Sequence, residues 1–427
     1  MINASFDAEG AAPELALVQS RRIPALHARR ELKMARDAHA YVRGSTEKFY
    51  EWLATNTGRA LPAGPLVWIC GDAHVGNLGP IARSDSRVEV ELRDLDQTVI
   101  GNPAHDLVRL GLSLAMAARS SDLPGVVTAR LVEELMSGYL DGLELHEEPA
   151  ERSESEAVRF VVREALRRKW RHLHSERLGK KPRFPIGQRF LQLSAEEHAA
   201  VATFLSKERI RELVTRLECR EDEARIRLLD AAYWVKGCSS LGLWRCAALV
   251  EVVGHDRASG GYSLLDLKEA IAPLAPAEER AKLPEHQGER VVQGARALSP
   301  GLGRRMLAGT VAEHAVFVRE LMPQDLKLEL EMLDDAEART TARALARIVG
   351  RAHARQLDAP TLGAWRGELE HGKMRSLDAP SWLWSSVVEL VGLHERAYLE
   401  HCRRYALTAE KKRERSEQLG SRRSAEC

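Results

Sequence analysis

The pattern of apolar and polar positions divides the chain into helical regions at both ends and a strand-rich region between them. From residue 29 to 53 apolar residues recur at the spacing of an amphipathic helix, and Gly44 is expected to separate two shorter helices. The apolar run at 66–70 predicts a buried strand, and the alternation at 87–92 predicts a second one. Helices are predicted for most of 106–220, for 334–355 and for 382–405.

The middle of the chain differs because aliphatic and aromatic residues are there interrupted by glycine. Residues 233–253 predict a hairpin, and strands are expected at 263–270 and 315–321. Residues 1–20 are expected to be a flexible lead-in, and the charged, apolar-poor segment 411–427 a disordered tail. The fold class predicted from this order is α+β.

Composition and charge exclude several classes of protein. Of the 427 residues 44% are hydrophobic and 29% charged, which is typical of a globular chain. The net charge of +1 gives no general attraction to nucleic acid. No apolar run is long enough to span a membrane, and the N-terminus lacks the features of a secretory signal. Six scattered cysteines without a CxxC pair indicate reduced thiols and a cytoplasmic location. The oligomeric state is left open.

Candidate chemistry concentrates in two loops that each follow a predicted strand. Asp72 and Asn77 lie on the first loop, and Asp94 and Asp96 lie on the second. If the strands form a hairpin, both loops reach the same end of the sheet. Carboxylate and amide oxygens suit Mg²⁺, and the Asp-x4-Asn spacing is that of the kinase catalytic loop. We therefore expect Asp72 to be catalytic and the other three residues to hold metal.

A second candidate lies in the strand-rich region. The segment Lys236-Gly-Cys-Ser-Ser-Leu-Gly242 sits between two apolar runs, as a phosphate-binding loop would. The residues expected to bind ATP are Gly237, Ser239, Ser240, Gly242, Lys268 and Glu289. Lys268 is the predicted phosphate-pairing lysine, and Glu289 is its predicted partner, with Glu278 and Glu279 as alternatives.

The first loop carries a family resemblance. Gly71-Asp72 to Asn77, Asp94 and the later Asp106 resemble the catalytic core of aminoglycoside and choline phosphotransferases over about 40 residues. Cys70 stands where those enzymes have histidine. The resemblance implies a kinase-like, two-lobed fold, a small-molecule acceptor, and a bracing role for Asp106 under the catalytic loop.

Over most of its length the chain resembles the bacterial family named domain of unknown function 2252, which has no settled function. The segments that carry this resemblance are Glu31-Leu-Lys-Met-Ala35, Tyr41-Val-Arg-Gly44, Trp68-Ile-Cys-Gly-Asp-Ala-His74, Asp94-Leu-Asp96, Leu267-Lys-Glu-Ala270 and Arg351-Ala-His-Ala-Arg355.

In ordinary kinases the β-rich lobe precedes the catalytic loop, whereas here its candidate follows that loop. We therefore expect a circularly permuted kinase-like fold, which is feasible because chain termini often lie close together. The expected parts are a large lobe at 21–225, a small lobe at 226–330, and helices at 331–410 that return to the large lobe.

The leading functional hypothesis is an ATP- and Mg²⁺-dependent phosphotransferase acting on a small-molecule hydroxyl. One alternative is a nucleotide-binding pseudokinase or scaffold without turnover. A metallophosphoesterase is a weaker alternative, because the further histidine motifs of two-metal hydrolases are missing from the sequence. For Arg43, for the group Arg351, His353 and Arg355, and for the basic run 163–183, charge on a solvated helix face is the preferred interpretation over anion binding.

Overall fold

The computed structural model describes residues 19–55, 60–83, 87–121, 123–144, 155–178, 182–215, 224–253, 261–276, 278, 281–326, 334–371 and 378–425. Residues 1–18, most of the predicted lead-in, lie outside this set, as do residues 327–330, at the end of the predicted small lobe. None of the described helices combines the length and the apolar composition that a bilayer-spanning helix needs.

The elements follow the expected order of helices, short strands, helices, long strands and helices. The helices are α1 (Gln19–Met34), α2 (Ala38–Gly44), α3 (Thr46–Leu53), α4 (Ala104–Ser120), α5 (Gly125–Leu143), α6 (Glu156–Arg167), α7 (Trp170–Arg177), α8 (Ala195–Leu205), α9 (Glu208–Thr215), α10 (Gln287–Leu298), α11 (Pro300–Gly303), α12 (Asp335–Ala354), α13 (Ala359–Glu370) and α14 (Ser381–Ala425). The strands are β1 (Val67–Ile69), β2 (Leu78–Ala82), β3 (Val88–Leu92), β4 (Val99–Gly101), β5 (Phe190–Leu191), β6 (Arg225–Trp234), β7 (Arg245–Val253), β8 (Tyr262–Glu269), β9 (Met306–Val311) and β10 (His314–Glu320).

The first four strands form two separate antiparallel pairs. β1 pairs with β4, and β2 pairs with β3. The first candidate loop connects β1 to β2, and the second connects β3 to β4. The two loops therefore lie side by side, although β1 and β3 do not form the hairpin expected from the sequence. A single-turn 3₁₀ helix, Val75–Asn77, completes the first loop.

The long strands form one antiparallel sheet of six, in the order β5-β6-β7-β8-β10-β9. Its core includes Val201 and Phe204 of α8 and Leu26 of α1, so these two helices pack on one face of the sheet. Arg22 of α1 forms a buried ion pair with Glu197 of α8, with 2.8 Å between Nη1 and Oε1. The first helix is therefore fixed to the sheet.

The larger core lies among the helices that surround β1–β4. Within it α5 and α12 approach very closely. A Cβ atom placed on Gly138, Gly142 or Gly350 would overlap a backbone carbonyl oxygen of the opposite helix. Glycine is required at these positions because there is no room for a side chain between the two backbones.

Most predicted elements are found within a few residues of their expected ends. Gly44 does separate two helices, and the hairpin expected at 233–253 corresponds to β6 and β7. Two differences matter: α10 and β9 were not predicted, and α14 continues to Ala425, through most of the segment expected to be disordered. Cys70, Cys238, Cys246 and Cys402 are free thiols, while Cys219 and Cys427 lie outside the described residues.

Candidate functional site

A cleft of about 350 Å³ lies between the two candidate loops, the six-stranded sheet and the N-terminal helices. Eight of the ten predicted site residues line it: Asp72, Asn77, Asp94, Asp96, Gly237, Ser239, Ser240 and Lys268. Gly242 and Glu289 are not among the lining residues. Residues separated by more than 160 positions in sequence thus face the same enclosed space.

The first loop is held from below by a buried chain of hydrogen bonds. The Asp106 carboxylate accepts hydrogen bonds from the backbone N–H of Cys70 (2.7 Å) and Gly71 (2.9 Å), and from Nε2 of His353 (3.1 Å). The Tyr139 hydroxyl contacts Nδ1 of His353 at 2.9 Å. From the sequence, His353 was expected on a solvated helix face. It is instead fully buried and supports the loop.

Asp72 lies at the cleft surface in a fixed orientation. Its Oδ1 accepts a hydrogen bond from Nε of Arg109 at 2.9 Å, and its Oδ2 accepts one from the Thr46 hydroxyl at 3.2 Å. His74 lies 4.0 Å from Oδ2. Burial raises the pKa of Asp72 above its ordinary value, although Arg109 opposes this effect. Arg109 therefore keeps a partly desolvated carboxylate oriented toward the cleft.

Asn77 joins the two loops. Its Oδ1 accepts a hydrogen bond from the backbone N–H of Asp94, and its Nδ2 donates to the backbone carbonyl of Asp94, both at 2.6 Å. The side chain is almost completely buried. In this structure the Asn77 amide, which was predicted to hold metal, fixes the spacing between the loops that carry Asp72 and Asp94.

The centre of the cleft holds two carboxylates and one ammonium. Lys268 contacts Asp94, with 3.2 Å between Nζ and Oδ1, and makes a closer contact with Asp96. Enclosure in the cleft favours the neutral acid, but the ammonium of Lys268 outweighs it and lowers the pKa of Asp94 below its ordinary range. Burial and the adjacent Asp94 charge raise the pKa of Asp96 to about 7.

These groups fit a divalent cation in part. Oδ1 of Asp96 is buried and receives no hydrogen bond from any described residue. This oxygen could therefore act as a ligand beside Asp94. Mg²⁺ is commonly bound by one or two protein carboxylates together with water and phosphate oxygens. Within the described ranges, no group of three or more His, Cys, Asp or Glu side chains is placed to hold a metal. The protein can therefore offer two carboxylates, and further ligands would have to come from elsewhere.

The glycine-containing loop between β6 and β7 covers one side of the cleft. Gly237 and Gly242 have positive φ angles of 95° and 104°, a conformation that glycine adopts without strain. A Cβ atom on Gly242 would overlap the ring of His27, so this glycine serves packing against α1. Lys33 of α1 donates to the Gly237 carbonyl at 2.7 Å, and so the loop is attached to the first helix.

Beside this loop, three basic side chains surround Asp266. Arg245 pairs with it through two hydrogen bonds of 2.8 and 2.5 Å. Arg319 lies 3.4 Å from the same carboxylate, and Lys236 lies 4.0 Å from it. Burial, and then the charge of Arg245, lower the pKa of Lys236 well below its ordinary value. Arg245 and Arg319 alone exceed the single carboxylate of Asp266 in charge, which favours binding of an anion here.

Sequence reasoning included Lys236 in the predicted phosphate-binding loop but missed Arg245 and Arg319, as well as Arg109 and Thr46. These four residues are spread over strands and helices with no local motif. Glu289 was predicted to pair with Lys268, but among the described residues no ion pair joins them. The adjacent residue Arg290 is the one that reaches the site, because its Nη2 donates to the carbonyl of Asp96 at 2.9 Å.

Three residues of the basic run at 163–183 form ion pairs in the structure. Arg163 and Arg167 form ion pairs with Glu156 and Glu164 on the surface of α6, and Arg168 pairs with Glu176 at 2.7 Å. Lys180 and Lys181 lie outside the described residues. The preferred interpretation, a solvated helix face, agrees with these contacts.

One family model matches the chain from residue 22 to residue 404. That family is described as an uncharacterized protein conserved in bacteria, domain of unknown function 2252 (DUF2252). The chain belongs to this family. No curated protein and no solved structure matches it. The DUF2252 match spans all the residues that line the cleft, from Arg30 to Arg319.

Proposed function

We propose that this DUF2252 protein is an ATP- and Mg²⁺-dependent phosphotransferase with a circularly permuted kinase-like fold. The observation that carries the proposal is the meeting of three groups in one cleft. The first is an oriented aspartate, Asp72. The second is the cluster of Asp94, Asp96 and Lys268, and the third is a glycine loop beside a basic group.

The arrangement assigns a role to each side of the cleft. The six-stranded sheet supplies the glycine loop and Lys268, as the small lobe of a kinase does. The loops at 70–97 supply the aspartates, as the large lobe does. Because the sheet follows those loops in sequence, the proposed kinase-like fold is permuted. The helices α12 and α14 then return to the core beneath the loops.

In the proposed reaction Asp72 orients the acceptor hydroxyl and accepts its proton, while Arg109 holds the carboxylate in place. Lys236, Arg245 and Arg319 attract the nucleotide phosphates beneath the glycine loop. Asp94 and Asp96 would hold Mg²⁺, which neutralises the phosphate charge when bound. Asn77 keeps the metal-binding loop at a constant distance from the loop that carries Asp72.

Calorimetric titration with Mg²⁺ and a non-hydrolysable ATP analogue tests the binding step, and nucleotide turnover over a panel of small alcohols tests transfer. We expect Asp72→Asn to bind the analogue within about twofold of wild type and to lose about 10²–10⁴-fold in transfer. Asp141→Asn serves as the control, because that aspartate lies in a half-exposed pair with Arg343, away from the cleft. Undiminished transfer in Asp72→Asn, or no saturable binding of the analogue by wild type, would contradict the proposal.

A second candidate is a nucleotide-binding protein without turnover. The ion pair between Arg109 and Asp72 favours it, because a carboxylate engaged by arginine is a weaker base. Tight binding of the Mg²⁺–ATP analogue with no transfer to any acceptor would support this alternative. The metallophosphoesterase hypothesis has less support, since the described residues lack the clustered histidines and carboxylates that two metals require.

A further inference from the structure

The end of the cleft that contains Asp72 has a basic lining of its own. Arg30 and Arg43, from α1 and α2, line the space together with His74 on the first loop. A Cβ atom built on Gly44, next to Arg43, would lie 3.2 Å from Sγ of Cys238, so this group lies close to the glycine loop as well as to the loop that bears Asp72. It adds positive charge to the part of the cleft that contains Asp72.

The basic side chains at this end have free hydrogen-bonding capacity. Nε of Arg43, Nε of Arg30 and Nδ1 of His74 are buried, and no described residue makes a hydrogen bond to them. His74 is 8% exposed. Buried polar nitrogens normally have a partner in the folded protein or in a bound ligand. Nη2 of Arg30 already donates to the Gly44 carbonyl at 2.8 Å, which leaves Arg43 as the arginine of this group that is free to bind a ligand with acceptor atoms.

The position of Arg43 is set by the catalytic loop itself. A Cβ atom built on Gly76 would lie 3.1 Å from Cζ of Arg43, so the guanidinium packs against the loop backbone. Gly76 lies between Asp72 and Asn77 in sequence. A group bound to Arg43 would therefore lie close to the atoms that handle the acceptor hydroxyl.

The charges at this end do not cancel. Asp72 is paired with Arg109, and Asp94, which is close enough to affect the pKa of both Asp72 and His74, is paired with Lys268. Glu47 is a further carboxylate among the lining residues, and it is exposed. Burial, and then the charge of Arg43, lower the pKa of His74 well below its ordinary value. His74 is thus neutral at pH 7, and the cationic charge comes from Arg30 and Arg43.

We infer that the acceptor carries an anionic group, a phosphate or a carboxylate, that binds Arg43 with assistance from Arg30 and His74 while its hydroxyl faces Asp72. This inference rests on the proposed function and narrows its substrate class to anionic alcohols. Arginine is suited to the task because its planar donors match the oxygens of either anion. Cationic acceptors, such as aminoglycosides and choline, would be repelled by the same lining.

The test measures anion binding by the full-length protein after its nucleotide site has been saturated with Mg²⁺ and a non-hydrolysable ATP analogue. The probes are glycerol, glycerate and glycerol 3-phosphate, titrated separately. We expect the two anions to bind at least about tenfold more tightly than glycerol, and Arg43→Gln to abolish that difference. Arg43→Lys, which keeps the charge, should retain part of it and shows that loss of binding is not loss of folding.

Arg36→Gln is the matched control, because Arg36 is an exposed arginine close in sequence that does not line the cleft. It should bind all three probes as wild type does. Binding of glycerol 3-phosphate alone assigns a phosphate, and binding of glycerate as well extends the assignment to carboxylates. Equal or absent binding of the three probes, or an anion preference that survives in Arg43→Gln, overturns the inference. Failure of the analogue to bind wild type instead refutes the proposed function.

Discussion

Replacing Asp106 with asparagine is expected to destabilise the protein more than any surface substitution of the same kind. Asp106 is completely buried and its carboxylate accepts three hydrogen bonds, from Cys70, Gly71 and His353. In Asp106→Asn one oxygen becomes an NH₂ group, which must face at least one N–H donor. The variant therefore loses one or two charge-assisted hydrogen bonds and leaves buried donors unsatisfied.

The magnitude follows from these contacts. A hydrogen bond to a charged group contributes about 1.5–3 kcal/mol, and leaving a buried donor unsatisfied costs about 1–3 kcal/mol. We expect the free energy of unfolding to fall by about 3–5 kcal/mol in Asp106→Asn. Because the bonds to Cys70 and Gly71 hold the loop that bears Asp72, binding in the cleft should weaken as well.

Urea denaturation followed by circular dichroism measures the change, with the slope of the transition checked for constancy. Asp141→Asn is the control, since Asp141 pairs with Arg343 at a half-exposed position and should cost no more than about 1 kcal/mol. A loss below about 1 kcal/mol in Asp106→Asn, or equal losses in both variants, would refute the reasoning that this buried carboxylate organises the loop.

Two further predictions concern the helix contact and the carboxylate pair. Gly142→Ala should lower the free energy of unfolding by about 2–4 kcal/mol, because its Cβ would overlap the backbone of α12. Gly363→Ala is the control: it lies in a helix with no atom within 4 Å of the added Cβ, and the change should be neutral or stabilising by up to about 1 kcal/mol. Equal effects of the two substitutions in thermal unfolding would argue against the close contact. The native pKa of Asp96 is raised to about 7, so its contribution to the free energy of unfolding is present below pH 4 and is lost as the pH rises through 7. Asp96→Asn lacks this titration. Between pH 5 and pH 8 its free energy of unfolding should therefore rise by about 1–2 kcal/mol relative to that of wild type. Parallel pH profiles of the two proteins would contradict this assignment.

Sequence reasoning located the loop residues because their information is local. Asp72 and Asn77 are separated by five positions within one loop, and Asp94 and Asp96 by two within the next. The expected hairpin was wrong in its pairing, since β1 pairs with β4. The loops still meet because they connect the same two strand pairs.

The basic group beneath the glycine loop depends on non-local pairing. Arg245 lies opposite Lys268 in the ladder, and Arg319 lies opposite Asp266. A shift of one residue in register would turn each of these side chains to the other face of the sheet. The register is set by the long-range packing of the sheet, so these residues could not be assigned to the cleft from the sequence.

Two other differences from the sequence predictions depend on the direction in which a helical side chain points. Glu289 and Arg290 are adjacent on α10, yet their side chains point about 100° apart, and the structure brings Arg290 to the Asp96 loop. His353 was expected on a solvated surface, but α12 runs beneath the loop that bears Asp72, and His353 is buried there. Sequence periodicity indicates that a helix has a buried face without indicating which neighbour that face contacts.

The attachment of α1 to the glycine loop, through Lys33 and Gly237, has a consequence for synthesis of the chain. The cleft needs residues from the first helix, from the loops at 70–97 and from a sheet that ends at Glu320, and its loop is braced by His353 near the end of α12. A nascent chain lacking its final quarter would have all the lining residues but no brace. Competence for binding in the cleft should therefore arise late during translation, and C-terminal truncations ending before residue 353 should bind ligands in the cleft more weakly even where the sheet has formed.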